Sequence, residues 1–188
     1  MNLKGLEEKK IIILGTGGSG KTVNAMNLWG KFKCPIAYDI SGDFKNCKGG
    51  IAYNPRDIDG EFIPFIHKYF EITKKKKIDA IFFDDCDAYI NYETVSNPIF
   101  KDLIVRHRNM HKVTLVFIGK RPQNIPTLIM ENCHLMYIYK IEGHNAMKRL
   151  IDIDKNIEPM LKKVYENPFS YIEKWEGFPP TFKKAVKQ

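Results

Sequence analysis

Long apolar runs are missing from this sequence. No stretch of its 188 residues approaches the roughly 20 consecutive apolar residues that cross a bilayer, so no membrane span is expected. Residues 1–8 lack the apolar centre of a secretory signal, which makes a cytoplasmic protein the expectation. Cysteine is sparse. Cys34, Cys47, Cys86 and Cys133 are scattered, and no C-x-x-C pair occurs. That excludes a zinc ribbon or a disulfide framework and leaves each thiol as a small core residue. Internal repeats and low-complexity tracts are absent as well. What remains is an ordinary globular composition, 44% hydrophobic and 28% charged, in a chain long enough for one domain with a substantial core.

Positive charge and glycine are what the chain does have. The net charge of +8 suits a polyanionic partner. The run Lys74-Lys75-Lys76-Lys77 has a simpler reading, a solvated helix end whose lysines complement the C-terminal dipole. The glycines concentrate in Gly15-Thr16-Gly17-Gly18-Ser19-Gly20-Lys21-Thr22, which matches G-x-x-x-x-G-K-[ST], the phosphate-binding loop. Residues 9–14 lead in as a short β-branched strand, and residues 22–29 lead out as a helix, the order this loop requires. Its glycines let backbone N–H groups turn inward around phosphate oxygens, and the helix N-terminus adds partial positive charge. Lys21 is placed to reach the β- and γ-phosphates, and Thr22 to offer its hydroxyl to Mg²⁺. Nucleotide binding is the expectation.

Residues 78–85 read as a buried strand ending in two acids. An apolar strand beside the P-loop strand that ends in an Asp holds Mg²⁺ in P-loop proteins, and Asp84 fits that place. Asp85 fits a base that orients or deprotonates the attacking water. Adjacent residues at a strand end leave toward different sides and can serve metal and water separately.

Elsewhere, strands are expected at 35–40, 113–119, 134–139 and 169–174, with a short edge strand over 49–55 closed by Pro55. Apolar spacing predicts helices over 60–76, with Pro64 in its first turn, and over 95–110, ending in Arg106-His107-Arg108. Shorter helices are expected over 144–151 and 157–164, and residues 179–188 read as a basic tail. A polar loop, 120–126, follows the strand 113–119 at the end where α/β sites lie. Alternating strands and helices give a mainly parallel sheet covered on both faces.

The P-loop, Phe82-Phe83-Asp84-Asp85, Arg106-His107-Arg108 and Phe117-Ile118-Gly119-Lys120-Arg121-Pro122 together resemble the FtsK–HerA superfamily of P-loop ATPases. Within it the chain is most similar to genome-packaging ATPases of tailless, membrane-containing viruses, and residues 143–150 look like the segment after their last core strand. The resemblance implies an α/β, RecA-like (ASCE) P-loop NTPase whose mainly parallel sheet is flanked by helices. The ATPase core would cover about residues 9–150, and residues 151–188 would form an extension of the same domain. It implies ATP and Mg²⁺, a homo-oligomeric ring (hexameric in most relatives) and double-stranded DNA in the channel. The procapsid packaging vertex, in the host cytoplasm, would be a further partner. A neighbour's arginine would complete each site. Arg106 and Arg108 are the first candidates, then Arg121 and Arg149. The family's γ-phosphate-sensing glutamine is replaced by Lys120. Either Lys120 or Gln123, the nearest glutamine, takes that part. Where many relatives carry Glu, this chain has Asp85. Alternatives are an assembly or secretion ATPase similar to Zot-like phage proteins, which normally carry a membrane segment, and a small nucleoside or nucleotide kinase, which needs an arginine-rich lid not visible here.

Overall fold

The computed structural model describes residues 5–184, so residues 185–188 of the basic tail lie outside it. Eight strands form one sheet in the order β3-β2-β4-β5-β1-β6-β7-β8. Strands β1 (Lys10–Leu14), β2 (Pro35–Tyr38), β4 (Ala80–Phe83), β5 (Thr114–Gly119) and β6 (Leu135–Ile138) are buried at every position. With β3 (Ile51–Tyr53) at the edge, these six strands pair in parallel. Parallel strands covered on both faces read as continuous apolar runs, which is why β1 and β5 do.

The two-residue period of a strand divides the core. Ile12, Leu14, Ile81, Phe83, Leu115 and Phe117 pack on one face, beneath helices α2 (Phe62–Thr73), α4 (Pro98–Arg106), α6 (His144–Ile153) and α7 (Glu158–Glu166). Ile11, Ile13, Phe82, Val116 and Ile118 point to the other, where the covering helix is α1 (Lys21–Trp29). There Trp29 meets Phe44 at 5.2 Å and Phe82 at 5.3 Å, and Phe44 meets Phe82 at 5.4 Å. These aromatic contacts hold the helix that follows the P-loop against the sheet.

Four expectations change. The strand ending at Asp84 is not beside the P-loop strand, because β5 lies between β4 and β1. The single helix expected over 95–110 is broken. Asn97 is extended before Pro98, as a residue preceding proline tends to be, so α3 (Tyr92–Ser96) ends and α4 begins with the Asn97 side chain accepting from the Ile99 amide at 3.1 Å. The last turn, His107–His111, is π-helical. In the late segment, β8 (Thr181–Lys183) pairs antiparallel with β7 (Tyr171–Trp175), itself antiparallel to β6. Three residues are too few for a visible sequence period.

The π turn buries His107. Its Nδ1 lies 2.9 Å from the Ile104 carbonyl, which requires a proton on Nδ1 and leaves the buried Nε2 without a partner. Burial pushes its pKa down to about 4, against the usual 6.5, with Lys10, His134 and Arg108 facing it as further positive or titrating groups. The unfolded chain therefore binds this proton more readily than the folded one, and stability falls as pH drops from 6.5 toward 4. Denaturant melts between pH 7 and pH 5 are expected to show a loss of up to about 1.4 kcal/mol per pH unit from this group. A His107→Met variant loses that component, and an unchanged slope would contradict the assignment.

Candidate nucleotide site

The C-terminal ends of β1, β5 and β4 converge, and each carries one part of the site. After β1 the chain enters the glycine loop. Gly15 donates its amide to the Gly119 carbonyl at 3.2 Å, and Thr16 to the Lys140 carbonyl at 2.9 Å, so the loop is pinned to the ends of β5 and β6. A Cβ on Gly15 would sit 2.4 Å from Ser19 Oγ and 2.8 Å from Tyr139 Cβ, which leaves room for glycine alone. Gly20 has φ +99° at the N-cap of α1, a conformation that costs glycine little. The amides of Gly18, Gly20 and Lys21 have no acceptor among the described residues, and the buried Ser19 hydroxyl is also without one. Unpaired donors at a helix start, with a buried lysine at its first position, make an anion seat.

Asp84 and Asp85 follow β4. Asp84 is 3% exposed, and burial raises its pKa above the usual carboxylate value. Its Oδ2 accepts from the Ser41 hydroxyl at 2.5 Å and the Ser41 amide at 3.1 Å. Asp85 turns away with φ +43°, and its side chain is 20% exposed. Its Oδ2 accepts from Lys120 Nζ at 2.7 Å, and its Oδ1 lies 3.9 Å from Lys21 Nζ. That second contact is electrostatic, since the oxygen is buried without a hydrogen bond. The bond that Lys120 donates to Asp85 raises the pKa of Lys120. With the Lys120 side chain 46% exposed, such a pair is worth only about 0–1 kcal/mol.

Residues not singled out in the sequence also take part. Asp87 accepts from the Lys120 amide at 2.8 Å and the Arg121 amide at 3.1 Å, fixing the loop after β5. Asp39, at the end of β2, is fully buried, with Oδ2 accepting from the Phe44 amide and Oδ1 unpartnered. The parallel topology was the available signal, because it sends every loop after a strand to this edge. On the outer side of the P-loop lies a pocket of about 440 Å³, walled by residues 16–19 and faced by Lys140, Tyr165, Pro168 and Phe169. Phe169 is 60% exposed and has φ +61°, a rare conformation for a bulky residue.

The remaining candidates separate. Lys120, Arg121 and Gln123 lie on the loop after β5, at the site's edge, with Gln123 exposed. Arg149, on α6, donates at 3.0 Å to Thr127 Oγ1, at the start of the short helix α5 (Thr127–Met130) beside the same loop. Arg106 pairs with Asp102 at 3.3 Å, and Arg108 is exposed in the π turn. Both precede the N-terminal end of β5, so the six residues of that strand, about 20 Å, stand between them and the P-loop. Thr22, in the first turn of α1, and Asp84, directly after β4, carry a hydroxyl and a carboxylate of the kind that can hold Mg²⁺.

Replacing Gly15 with alanine tests the loop. The clash with Ser19 and Tyr139 should weaken binding of ATPγS by about tenfold or more, equivalent to about 1.4 kcal/mol, with the circular dichroism unchanged. Fluorescent-nucleotide titration reads it, and wild-type affinity would mean the loop tolerates a Cβ.

Residues 11–140 match the family described as ATPase family associated with various cellular activities (AAA). No curated protein sequence matches the chain. Among solved structures, the DNA-packaging ATPase B204 of Sulfolobus turreted icosahedral virus has a TM-score of 0.76 at 12% identity, covering 97% of this chain and 100% of that one. The genome-packaging NTPase B204 of Sulfolobus turreted icosahedral virus 2, in complex with ATPγS, has a TM-score of 0.76 at 12% identity and covers 100% of both chains. The cytoplasmic domain of the type VII secretion ATPase EccC of Thermomonospora curvata has a TM-score of 0.60 at 13% identity, covering 96% of this chain and 26% of that one. These neighbours share the fold. Among the described residues no helix is long and apolar enough to cross a membrane. The match over residues 11–140 and the P-loop facing two strand-end carboxylates lead to one conclusion: the chain belongs to the AAA family and is a P-loop ATPase.

Proposed function

We propose that this ATPase is a motor that moves double-stranded DNA, packaging a viral genome into a procapsid as a homo-oligomeric ring. The observation that carries the ATPase part is Asp85 lying 3.9 Å from the P-loop Lys21, which puts a carboxylate beside the seat for the terminal phosphate. The net charge of +8 and the packaging activity named for the two viral neighbours support the DNA part.

In this reading the P-loop amides and Lys21 hold the phosphates. Thr22 and Asp84 hold Mg²⁺, which neutralises phosphate charge when bound. Ser41 keeps Asp84 oriented through its two hydrogen bonds. Asp85 accepts a proton from the attacking water as the water oxygen bonds the γ-phosphorus. The bond to the bridging oxygen breaks, and its electron pair leaves with ADP. The pocket between the P-loop and Phe169 receives the nucleobase, with Phe169 and Tyr165 as its apolar walls. Residues 1–188 act as one ATPase domain.

An arginine from a neighbouring copy completes the site, and the four candidates imply different rings. Arg106 or Arg108 reaches a phosphate only where the N-terminal strand ends of one copy face the P-loop of the next. Arg121 and Arg149 act where copies pack with their site edges side by side. Mixing Lys21→Ala protein with each arginine variant restores activity for the true finger alone, since a mixed ring contains boundaries with both groups intact.

Two outcomes follow. Asp85→Asn should keep nucleotide binding and lower turnover by about 10²–10⁴-fold, the usual worth of a general base; near-wild-type turnover in a phosphate-release assay removes that role. Double-stranded DNA should stimulate the ATPase, and DNA affinity should fall steeply with added salt because lysines and arginines meet phosphates. A rate and an affinity indifferent to DNA and salt would defeat the translocase reading.

A further inference from the structure

The nucleotide site uses the C-terminal edge of the sheet. The opposite edge is basic, and nucleotide hydrolysis does not require that. Lys31 and Lys33 precede β2, and Lys74-Lys75-Lys76-Lys77 precede β4. Because β2 and β4 pair in parallel, both lysine segments arrive side by side at the N-terminal edge. Lys112, before β5, arrives next to them, since β5 pairs with β4. Lysines far apart in the chain are gathered by strand order into one patch.

The patch is built on fixed backbone. Phe32 is buried and meets Phe82 edge-on at 6.0 Å, which anchors the turn after α1 between Lys31 and Lys33. The Asp79 carboxylate accepts the Lys33 amide at 2.7 Å and the Cys34 amide at 3.0 Å. Those two bonds clip the turn to the segment entering β4 and occupy the acid that lies between the lysines. The result is a cleft of about 340 Å³ whose cationic walls are Lys31, Lys33, Lys77 and Lys112. Glu8, on the same wall, pairs with Lys112 at 3.8 Å, and Lys74 pairs with Glu71. Glu7 is the remaining acid of the lining. Lys31, Lys33, Lys75, Lys76 and Lys77 have no ion-pair partner among the described residues. Helices α1 and α2 both end here, and a lysine or two beyond each would satisfy their dipoles. The surplus is left for a ligand of opposite charge.

We infer that this cleft, at the far end of α1 from the P-loop, seats the phosphate backbone of double-stranded DNA. A small anion is held by converging buried donors, as the P-loop provides. Here Lys33, Lys75, Lys76 and Lys77 are exposed and spread over two segments, an arrangement that suits a polymer carrying many phosphates in a row. Lysine meets each phosphate as a point charge on a flexible stem, so the contacts hold DNA without reading its sequence. Helix α1 joins this seat to the nucleotide. It begins at Lys21 of the P-loop and ends at Trp29, just before Lys31, and its nine residues span about 13 Å. One rigid element thus has ATP at its start and DNA at its end. The inference rests on the DNA-motor reading and names the face of the chain that DNA meets.

The test uses the full chain and a DNA duplex of mixed sequence, titrated at several salt concentrations. The triple variant Lys31→Gln, Lys33→Gln, Lys77→Gln should flatten the slope of log affinity against log salt by about 2–3, since each lost phosphate contact removes about 0.9. Its ATPase rate without DNA should match wild type, while stimulation by DNA is lost. The control Lys148→Gln, Lys162→Gln, Lys163→Gln removes the same charge from α6 and α7 and should keep the wild-type slope. An unchanged slope in the first variant, or equal flattening in both, overturns the seat. Lysines that serve only the helix dipoles would lower the melting temperature and leave DNA affinity alone, which also overturns it. So does a change of oligomer size in sedimentation with the slope intact, because the cleft is then a contact between copies. Should the wild-type chain not bind DNA, the motor reading fails with the seat; DNA binding that the triple variant retains removes the seat alone.

Discussion

A single carboxylate between two ammonium groups ties the parts of this structure together. Asp85 meets Lys120 at 2.7 Å and Lys21 at 3.9 Å, and those three residues follow three different strands, Asp85 and Lys120 directly after β4 and β5 and Lys21 at the start of the helix after the P-loop. Lys120 meets Asp85 because β5 pairs directly with β4, and the P-loop lysine approaches the same carboxylate from across β5.

The edge is rich in acid, and burial treats its acids differently. Asp39 and Asp84 lie deep enough for desolvation to raise their pKa values, each further raised by a neighbouring carboxylate. Backbone amides and the Ser41 hydroxyl offset that cost from the protein side. Asp85 and Asp87 lie further out, one on ammonium groups and the other on backbone amides. Acids satisfied by amides are held rigidly. The acid satisfied by an exposed lysine is held weakly, because water competes for both partners. Of these four acids, the one beside the P-loop lysine is therefore the one whose side chain is most loosely paired.

Packing on the two faces has a matching asymmetry. The face above Ile12 and Leu14 is covered by several helices, whereas the face above Ile11 and Ile13 relies on α1 together with Leu6, Phe32 and Phe44. The helix that follows the phosphate loop therefore owes its position to the aromatic contacts of Trp29, Phe44 and Phe82. Phe44 lies just beyond Ser41, the residue that holds Asp84, so the same loop supports the P-loop helix and the carboxylate at the end of β4.

Local pattern alone determined a great deal here. The apolar runs of β1, β4 and β5, the glycine loop, and the acids at the end of β4 are each contained in fewer than ten consecutive residues, and each follows from backbone conformation or burial that neighbours in the chain can specify. The break at Asn97-Pro98 was legible in principle, since proline restricts the residue before it, but the apolar spacing across it reads as one helix. Strand order was not legible. No residue of β5 states that it lies between β1 and β4, because parallel pairing is a choice among similar apolar strands made by the whole sheet. Hence the partnership of Lys120 with Asp85, the use of Ser41 and Asp87 as supports, and the distance of Arg106 and Arg108 from the P-loop came only with the tertiary structure. Sequence supplied the chemical groups through short-range rules. Long-range strand pairing, which short-range rules do not encode, decided which of those groups meet.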